Sequence, residues 1–367
     1  MIAKNTTSQK SSSSELIAQK NNPMADRHYG KKGVLLVNLG TPDAPTYGAV
    51  YRYLQEFLTD GRVIDIPFVP RQMLVRGIIA PFRSNSSAKL YKELWTENGS
   101  PLKYYGEVLA EKITEHLDPD VYHVELAMRY QSPSIKSAIK KLMDAAVSEI
   151  IVFPLFPQYA SATTGSVHQE VMEILAKEQE IPAVRMINSY YDYAPMIKVF
   201  AENAKQFDLD SYDFIFFSYH GLPQRQLKKA SRCDYCLSKP DCCQSLSIKN
   251  QFCYSAQCHA TTRAIAAELG LSEDRYVTSF QSRLGFDDWA KPYTIDVLKE
   301  RAKMGDKRLL CFSPAFVADC LETIVEIGTE YQEEFEELGG EHIDLVPSLN
   351  DNPEWIKAVA DLVKAQG

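Results

Sequence analysis

From residue 33 onward the chain repeats one rhythm: a short apolar run, a tight polar or glycine-containing turn, then a longer stretch whose apolar positions recur every three or four residues. Apolar runs without alternation are the mark of strands buried on both faces of a parallel sheet, and the wider spacing is that of amphipathic helices. Strands are predicted at residues 33–39, 122–128, 149–153, 183–187, 214–219, 276–280, 308–312 and 342–346. Helices are predicted at 47–58, 88–95, 102–116, 135–146, 195–206, 260–269, 295–304, 319–338 and 353–365, with another running to Lys177 behind the hydroxyl-rich residues 163–166. Strands alternating with helices imply parallel sheets covered on both faces. The expected fold is α/β, two Rossmann-like domains at 31–185 and 186–367 with a cleft between them. Residues 1–30, with serines at 11–14, read as a disordered tail.

Two strand ends stand out. The run 214–219 stops at His220, where Gly221 and Pro223 force a turn, so an imidazole sits at the carboxyl end of a central strand, where open α/β sheets keep their ligand crevices. Alone, His220 could equally be a hydrogen-bonded strand-end histidine. The strand 308–312 ends before a predicted helix on which Glu322, Glu326, Glu330, Glu333 and Glu337 share one face and Ile324, Ile327, Tyr331, Phe335 and Leu338 the other. A solvated acid face accounts for Glu330 onward. Glu322 and Glu326 lie close to the expected position of His220, and like charges four residues apart call for a cation or a shared proton between them. Residues 38–42, Asn-Leu-Gly-Thr-Pro, form a turn that could cradle a ligand, but without a dinucleotide fingerprint or a P-loop lysine. Residues 64–82 are apolar but broken by prolines, too short to cross a bilayer, and read either as core or as an apolar lip that admits a flat ligand or touches a membrane.

Composition narrows the classes. The 367 residues are 45% hydrophobic and 24% charged, as in ordinary globular proteins. A net charge of -8 argues against nucleic acid as partner. With neither an export signal nor a membrane span in view, a cytoplasmic location is expected, with thiols reduced. Of eight cysteines, six lie between residues 233 and 258. Within an insert at 226–258, Cys233, Cys236, Cys242, Cys243 and Cys253 supply four metal ligands among five candidates, and the irregular spacing with an adjacent pair suits an iron–sulfur cluster better than zinc knuckles. Zinc, or free regulatory thiols, are the other readings. A histidine, carboxylates, aromatic walls and an apolar lip suit the handling of a metal ion beside a flat apolar ligand.

In order along residues 33 to about 365, the segments 36–42, Arg129-Tyr130, 156–159 with 163–166, 218–223, 280–283 with Trp289, and 314–323 resemble ferrochelatases. The resemblance implies insertion of ferrous iron into protoporphyrin IX to form protohaem, in a porphyrin cleft between two Rossmann-like domains. It implies His220 as the proton or iron acceptor, Glu322 as its partner carboxylate and Glu326 as the next acid on the path, with Leu39, Arg83, Arg129, Tyr130 and Trp289 against the macrocycle and Arg83 pairing a propionate. His220 and Glu322 would also meet the ferrous substrate. The family resemblance implies a two-iron, two-sulfur cluster, here from the internal cysteines, with Cys258 the least suited. Peripheral contact with the inner membrane face and a monomer or homodimer are expected. A coproporphyrin or cobalt chelatase, or a haem or iron carrier or sensor, are the alternatives.

Overall fold

The structure is a computed structural model that describes residues 30–283, 285 and 287–366; the predicted N-terminal tail lies outside them, apart from Gly30. The chain order is β1 (Lys32–Gly40), α1 (Tyr47–Leu58), α2 (Phe68–Leu74), α3 (Ala80–Leu94), α4 (Pro101–Lys112), β2 (Tyr122–Tyr130), α5 (Ile135–Asp144), β3 (Glu149–Pro154), α6 (Ser166–Leu175), β4 (Ala183–Met186) and α7 (Ala194–Ala204) in the first half. The second half contains β5 (Phe214–His220), α8 (Gln224–Lys229), α9 (Tyr254–Glu268), β6 (Tyr276–Gln281), α10 (Thr294–Met304), β7 (Arg308–Phe312), α11 (Gln332–Glu337), β8 (His342–Leu345) and α12 (Pro353–Lys364). Each half holds a four-stranded parallel sheet, ordered β2-β1-β3-β4 and β6-β5-β7-β8. In each sheet the chain passes from its first strand to one side and then returns to the other, so β1 and β5 are the switch points at which crevices open.

Burial explains the pattern. Val34, Leu35, Leu36 and Val37 of β1, and Ile215, Phe216 and Phe217 of β5, are wholly buried, one set of side chains beneath each face of its sheet. The outer strands β4 and β8 carry exposed residues at their ends, because one edge of each has no neighbour. One apolar cluster runs from Leu36 and Phe153 of the first sheet through Phe200 and Trp355 to Phe217 and Phe312 of the second, so the two sheets share a core.

Two stretches depart from the predicted elements. Residues 68–94 are helical throughout, where the proline-broken run was read as core or lip without an assigned element and a helix was expected only from 88. Pro67 and Pro70 fall at the helix start, where no amide donor is needed, and Pro81 follows a π-helical turn at Val75–Ile79 in which the Ala80 amide bonds the Val75 carbonyl five residues back. The acidic helix predicted from 319 begins instead as a π-helix, Glu322–Tyr331, before α11. Its wider turn moves Val325 into the core in place of Ile324, which is exposed; Leu338, just past α11, is exposed too, while Ile327 and Phe335 are buried as the pattern required.

Candidate active site

A cleft of about 710 Å³ opens at the carboxyl ends of β1 and β5, within the range of sites that hold a cofactor-sized molecule. Asn38, Leu39, Gly40 and Thr41 line it from the first sheet, His220, Gly221, Leu222 and Pro223 from the second. His220 is brought there because β5 ends at it and the next residue can only be glycine: a Cβ on Gly221 would lie 2.8 Å from the Gln281 carbonyl oxygen and 3.0 Å from the Trp289 ring. The His220 Nδ1 lies 2.7 Å from the Gly221 carbonyl oxygen. A carbonyl only accepts, so Nδ1 carries the proton and Nε2 of the neutral ring keeps a lone pair. Trp289 lines the cleft with its ring 6.3 Å from the imidazole, and its buried indole N–H has no acceptor among the described residues.

The π-helix delivers Glu322, Glu326 and Glu330 to the same cleft, while Glu333 and Glu337 stay exposed outside it. Glu326 is fixed: it accepts from Gln281 Nε2 at 2.9 Å, Ser282 Oγ at 2.6 Å and the Tyr331 hydroxyl at 3.3 Å. Gln281 pairs in register with His220 across β5 and β6, and also donates to the Glu322 carbonyl at 2.9 Å, so one buried amide ties the histidine strand to the acid helix. Tyr53 and Tyr91 meet Glu322 from α1 and α3; burial first, then each other or the Glu322 charge, raises both phenols, which stay protonated donors. Burial, with repulsion from Glu326, Glu333 and Glu93, raises the Glu330 carboxyl above its ordinary range. Three acids on one π-helix face form a chain that welcomes a proton or a passing cation.

The outer wall is α2 and α3. Ile64, Leu74, Ile79 and Leu90 face the cleft, whereas Phe68, Val69, Met73, Ile78 and Phe82 project outward and are more than half exposed. This apolar lip is much larger than the scattered exposed residues usual on a surface. Arg83 lines the cleft from the lip, and Arg283 lines it from the far side, stacked 4.8 Å over the Tyr293 ring. Neither guanidinium has a carboxylate partner among the described residues, whereas Arg225, the third cation of the lining, is paired with Asp65 and Asp287.

Arg129 and Tyr130, expected against the ligand, lie outside the cavity lining. They belong to a buried cluster around Asp60, whose carboxylate accepts from Arg129 at 2.9 Å, Tyr130 at 2.9 Å, the Arg62 amide at 2.7 Å and Ser166 at 2.5 Å. Burial works to raise the Asp60 carboxyl, but the bonds from Ser166 and Arg62 and the Arg129 charge outweigh it and hold it below its ordinary value. Leu39, Arg83, His220, Trp289, Glu322 and Glu326 do share the cleft.

The cysteine insert spans the end of α8 to the start of α9. Cys253 pairs with the thiols of both Cys236 and Cys243, and Cys243 lies 3.8 Å from Cys242. Its pairing with Cys236, with burial, raises Cys253 to about 11, and the same contact lowers Cys236. Cys233 is exposed at the insert's edge, on a left-handed turn with Asp234 (φ 54° and 50°). Cys258 is buried in the shared core, and Cys311 and Cys320 are buried thiols elsewhere. The thiols approach in pairs; among the described residues no three or more Cys, His, Asp or Glu side chains converge on one point as ligands.

Several site residues carried no individual signal in the sequence. Gln281, Tyr53, Tyr91, Asp60 and Gln226 are polar positions inside or beside apolar runs, and only their burial marks them. Asn38 is the clearest: 97% buried at the cleft wall, it accepts from the Leu39 amide at 2.8 Å while its Nδ2 has no partner among the described residues.

Residues 31–367 match the family model described as ferrochelatase. The chain is 45% identical to a ferrochelatase of Legionella pneumophila (strain Lens), over 92% of this chain and 99% of the relative, and 43% identical to one of Coxiella burnetii (strain Dugway 5J108-111), over 93% and 95%. Among solved structures it is similar to SirB from Bacillus subtilis with Fe3+, at TM-score 0.52 and 10% identity over 91% of this chain and 94% of that one, a likeness of fold.

Proposed function

Since the chain belongs to the ferrochelatase family, and so is a chelatase that inserts iron into a porphyrin, we propose that its porphyrin is protoporphyrin IX and that the cleft residues divide the work as follows. The apolar walls take the macrocycle edge-on and exclude water, which lowers the cost of stripping Fe²⁺ of its hydration. His220 Nε2, left with its lone pair by the Nδ1 bond, accepts a pyrrole proton. Glu322, Glu326 and Glu330 relay that proton outward or bring the ferrous ion in. Their mutual repulsion favours either passenger and binds neither tightly. Arg83 and Arg283 take the propionates.

The observation that carries the choice of porphyrin is the number of uncommitted cations in the lining. Two arginines match the two propionates of protoporphyrin IX, and the remaining wall is apolar, as vinyl and methyl edges require. Coproporphyrin would bring two further carboxylates against that wall at a desolvation cost of several kcal/mol. Anaerobic mixing with Fe²⁺ and either porphyrin, followed by absorbance, tests this: protohaem should form with a kcat/KM at least tenfold above that for coproporphyrin. The reverse ranking would assign the coproporphyrin reaction, cobalt uptake in place of iron a cobalt chelatase, and a bound haem spectrum without turnover a carrier.

Cys236, Cys242, Cys243 and Cys253 would hold a two-iron, two-sulfur cluster. Support comes from the pairwise approach of the thiols, Cys253 to Cys236 and to Cys243 and Cys243 to Cys242, and from three non-glycine residues in left-handed conformation at 233, 234 and 237, strain that a metal would hold in a polar insert. Such a cluster supplies visible absorbance and local order. Anaerobically purified protein should be coloured and contain inorganic sulfide; stoichiometric zinc without colour would refute the assignment. The outward apolar face of the lip suits a bilayer surface from which an apolar product leaves.

A further inference from the structure

Between β1's helix α1 and the lip, residues 60–66 form a short root that holds the lip at two carboxylates. Asp60 grips the first half of the molecule. Asp65 reaches across to the second: its Oδ1 accepts from Arg225 at 2.8 Å and its Oδ2 from Lys229 Nζ at 2.7 Å. The carboxylate is only 12% exposed, although Lys229 stands largely in solvent. Beside it Gln226 Nε2 donates to the Val63 carbonyl at 3.1 Å, and Arg225 also pairs with Asp287. Arg225, Gln226, Val63 and Ile64 all line the cleft, whereas Asp65 and Lys229 lie behind the wall. Residues 224–226 begin only four residues after His220, and their other contacts, Gln224 amide to the Asp288 carbonyl at 2.8 Å and Gln224 Nε2 to the Trp289 carbonyl at 3.2 Å, fix α8 to the Trp289 loop.

We propose that Asp65 is a positioning residue: with Arg225 and Lys229 it forms an ionic latch between the root of the lip and α8 that holds the mouth of the cleft at the width the porphyrin needs. This rests on the porphyrin reading above. Asp65 touches no reacting atom. Its effect is on population: when a latch that favours the binding-competent mouth is removed, apparent affinity falls by the fraction of molecules left competent. A well-bonded, largely buried carboxylate with two cationic partners has enough interaction to shift that equilibrium about tenfold, equivalent to ~1.4 kcal/mol. Screening weakens such a latch, more at the exposed Lys229 arm than at Arg225.

The test measures porphyrin binding by quenching of intrinsic fluorescence, with steady-state iron insertion, for the full chain, Asp65→Asn, Asp65→Glu and Lys229→Met. Asp65→Asn should raise the porphyrin Kd and KM about tenfold while kcat stays within about twofold. Asp65→Glu should recover most of the loss. Lys229→Met, at an exposed position that cannot unfold the chain, should raise Kd about threefold, and the gap between wild type and either variant should narrow from 50 mM to 500 mM salt. Unchanged Kd in Lys229→Met together with Asp65→Asn, or a fall in kcat at constant KM, overturns the latch. Failure of the wild-type protein to bind or metallate any porphyrin refutes the underlying reading instead, so the two failures are separable.

Discussion

Replacing Gln281 by leucine probes the one side chain that joins the histidine strand to the acid helix. Gln281 is 98% buried, accepts from Ser218 Oγ at 2.6 Å, and donates to the Glu322 carbonyl and the Glu326 carboxylate at 2.9 Å each. Leucine fills similar volume but makes none of these bonds. Ser218 keeps Thr294 as partner at 2.9 Å, whereas the Glu322 carbonyl loses its side-chain donor and Glu326 keeps only Ser282 and Tyr331. At ~1 kcal/mol for a neutral bond and ~1.5–3 kcal/mol for one to a charge, less ~1–2 kcal/mol for added apolar burial, the fold should lose about 2–3 kcal/mol. The larger effect is on rate. Loss of a hydrogen bond that orients a metal-handling group typically costs about 10–100-fold, or ~1.4–2.8 kcal/mol of barrier. Gln281 does not line the cavity, so KM for porphyrin should hold while kcat for iron insertion falls. Ser279→Ala is the control, since Ser279 is equally buried and bonds Thr294 at 2.9 Å in the same polar layer without reaching Glu326. Urea unfolding and initial-rate kinetics on both variants decide the matter. A kcat within twofold of wild type in Gln281→Leu, or an equal loss in Ser279→Ala, would refute the assignment of Gln281 as the tether of Glu326.

Three other outcomes follow from the geometry. His220→Ala should reduce iron insertion by at least about 10²-fold, the usual worth of a positioned base, with porphyrin binding retained, as read by initial rates and fluorescence quenching. Glu322→Gln should lower kcat at least tenfold and Glu337→Gln by less than twofold, because only the former lies in the cleft; equal effects would return the whole acid face to solvent. Asp60→Asn should destabilise the fold at pH 7 by about 3–5 kcal/mol, since Arg129 would keep only Glu170 at 3.5 Å as counter-charge. Asp60 has a depressed folded-state pKa, so its contribution is complete above the unfolded value of ~3.9 and is lost as pH falls through the folded one. The gap between wild type and Asp60→Asn in urea unfolding should therefore be constant from pH 7 to 5 and shrink below about pH 4.

Strand and helix order were legible because burial on both faces of a parallel strand leaves an uninterrupted apolar run, as in Lys32–Gly40, Glu149–Pro154 and Phe214–His220. The position of His220 followed for the same reason, since a glycine and a proline mark where the strand must stop. Local pattern could not show that residues 75–79 and 322–331 wind as π-helices: periodicity is read on an assumed pitch, and the choice between α and π turns depends on what the widened turn packs against. Arg129 and Tyr130 illustrate the same limit, as their side chains turn toward Asp60, a residue seventy positions away that no spacing rule connects to them. Whether a polar side chain is a ligand to the substrate or a strut behind the wall is decided by which partner lies within 3 Å, and that is set by the meeting of two sheets. Gln281, Asp60 and Asp65 acquire their meaning only there, because a buried charge or amide costs free energy until distant donors surround it, and only the tertiary structure brings those donors together.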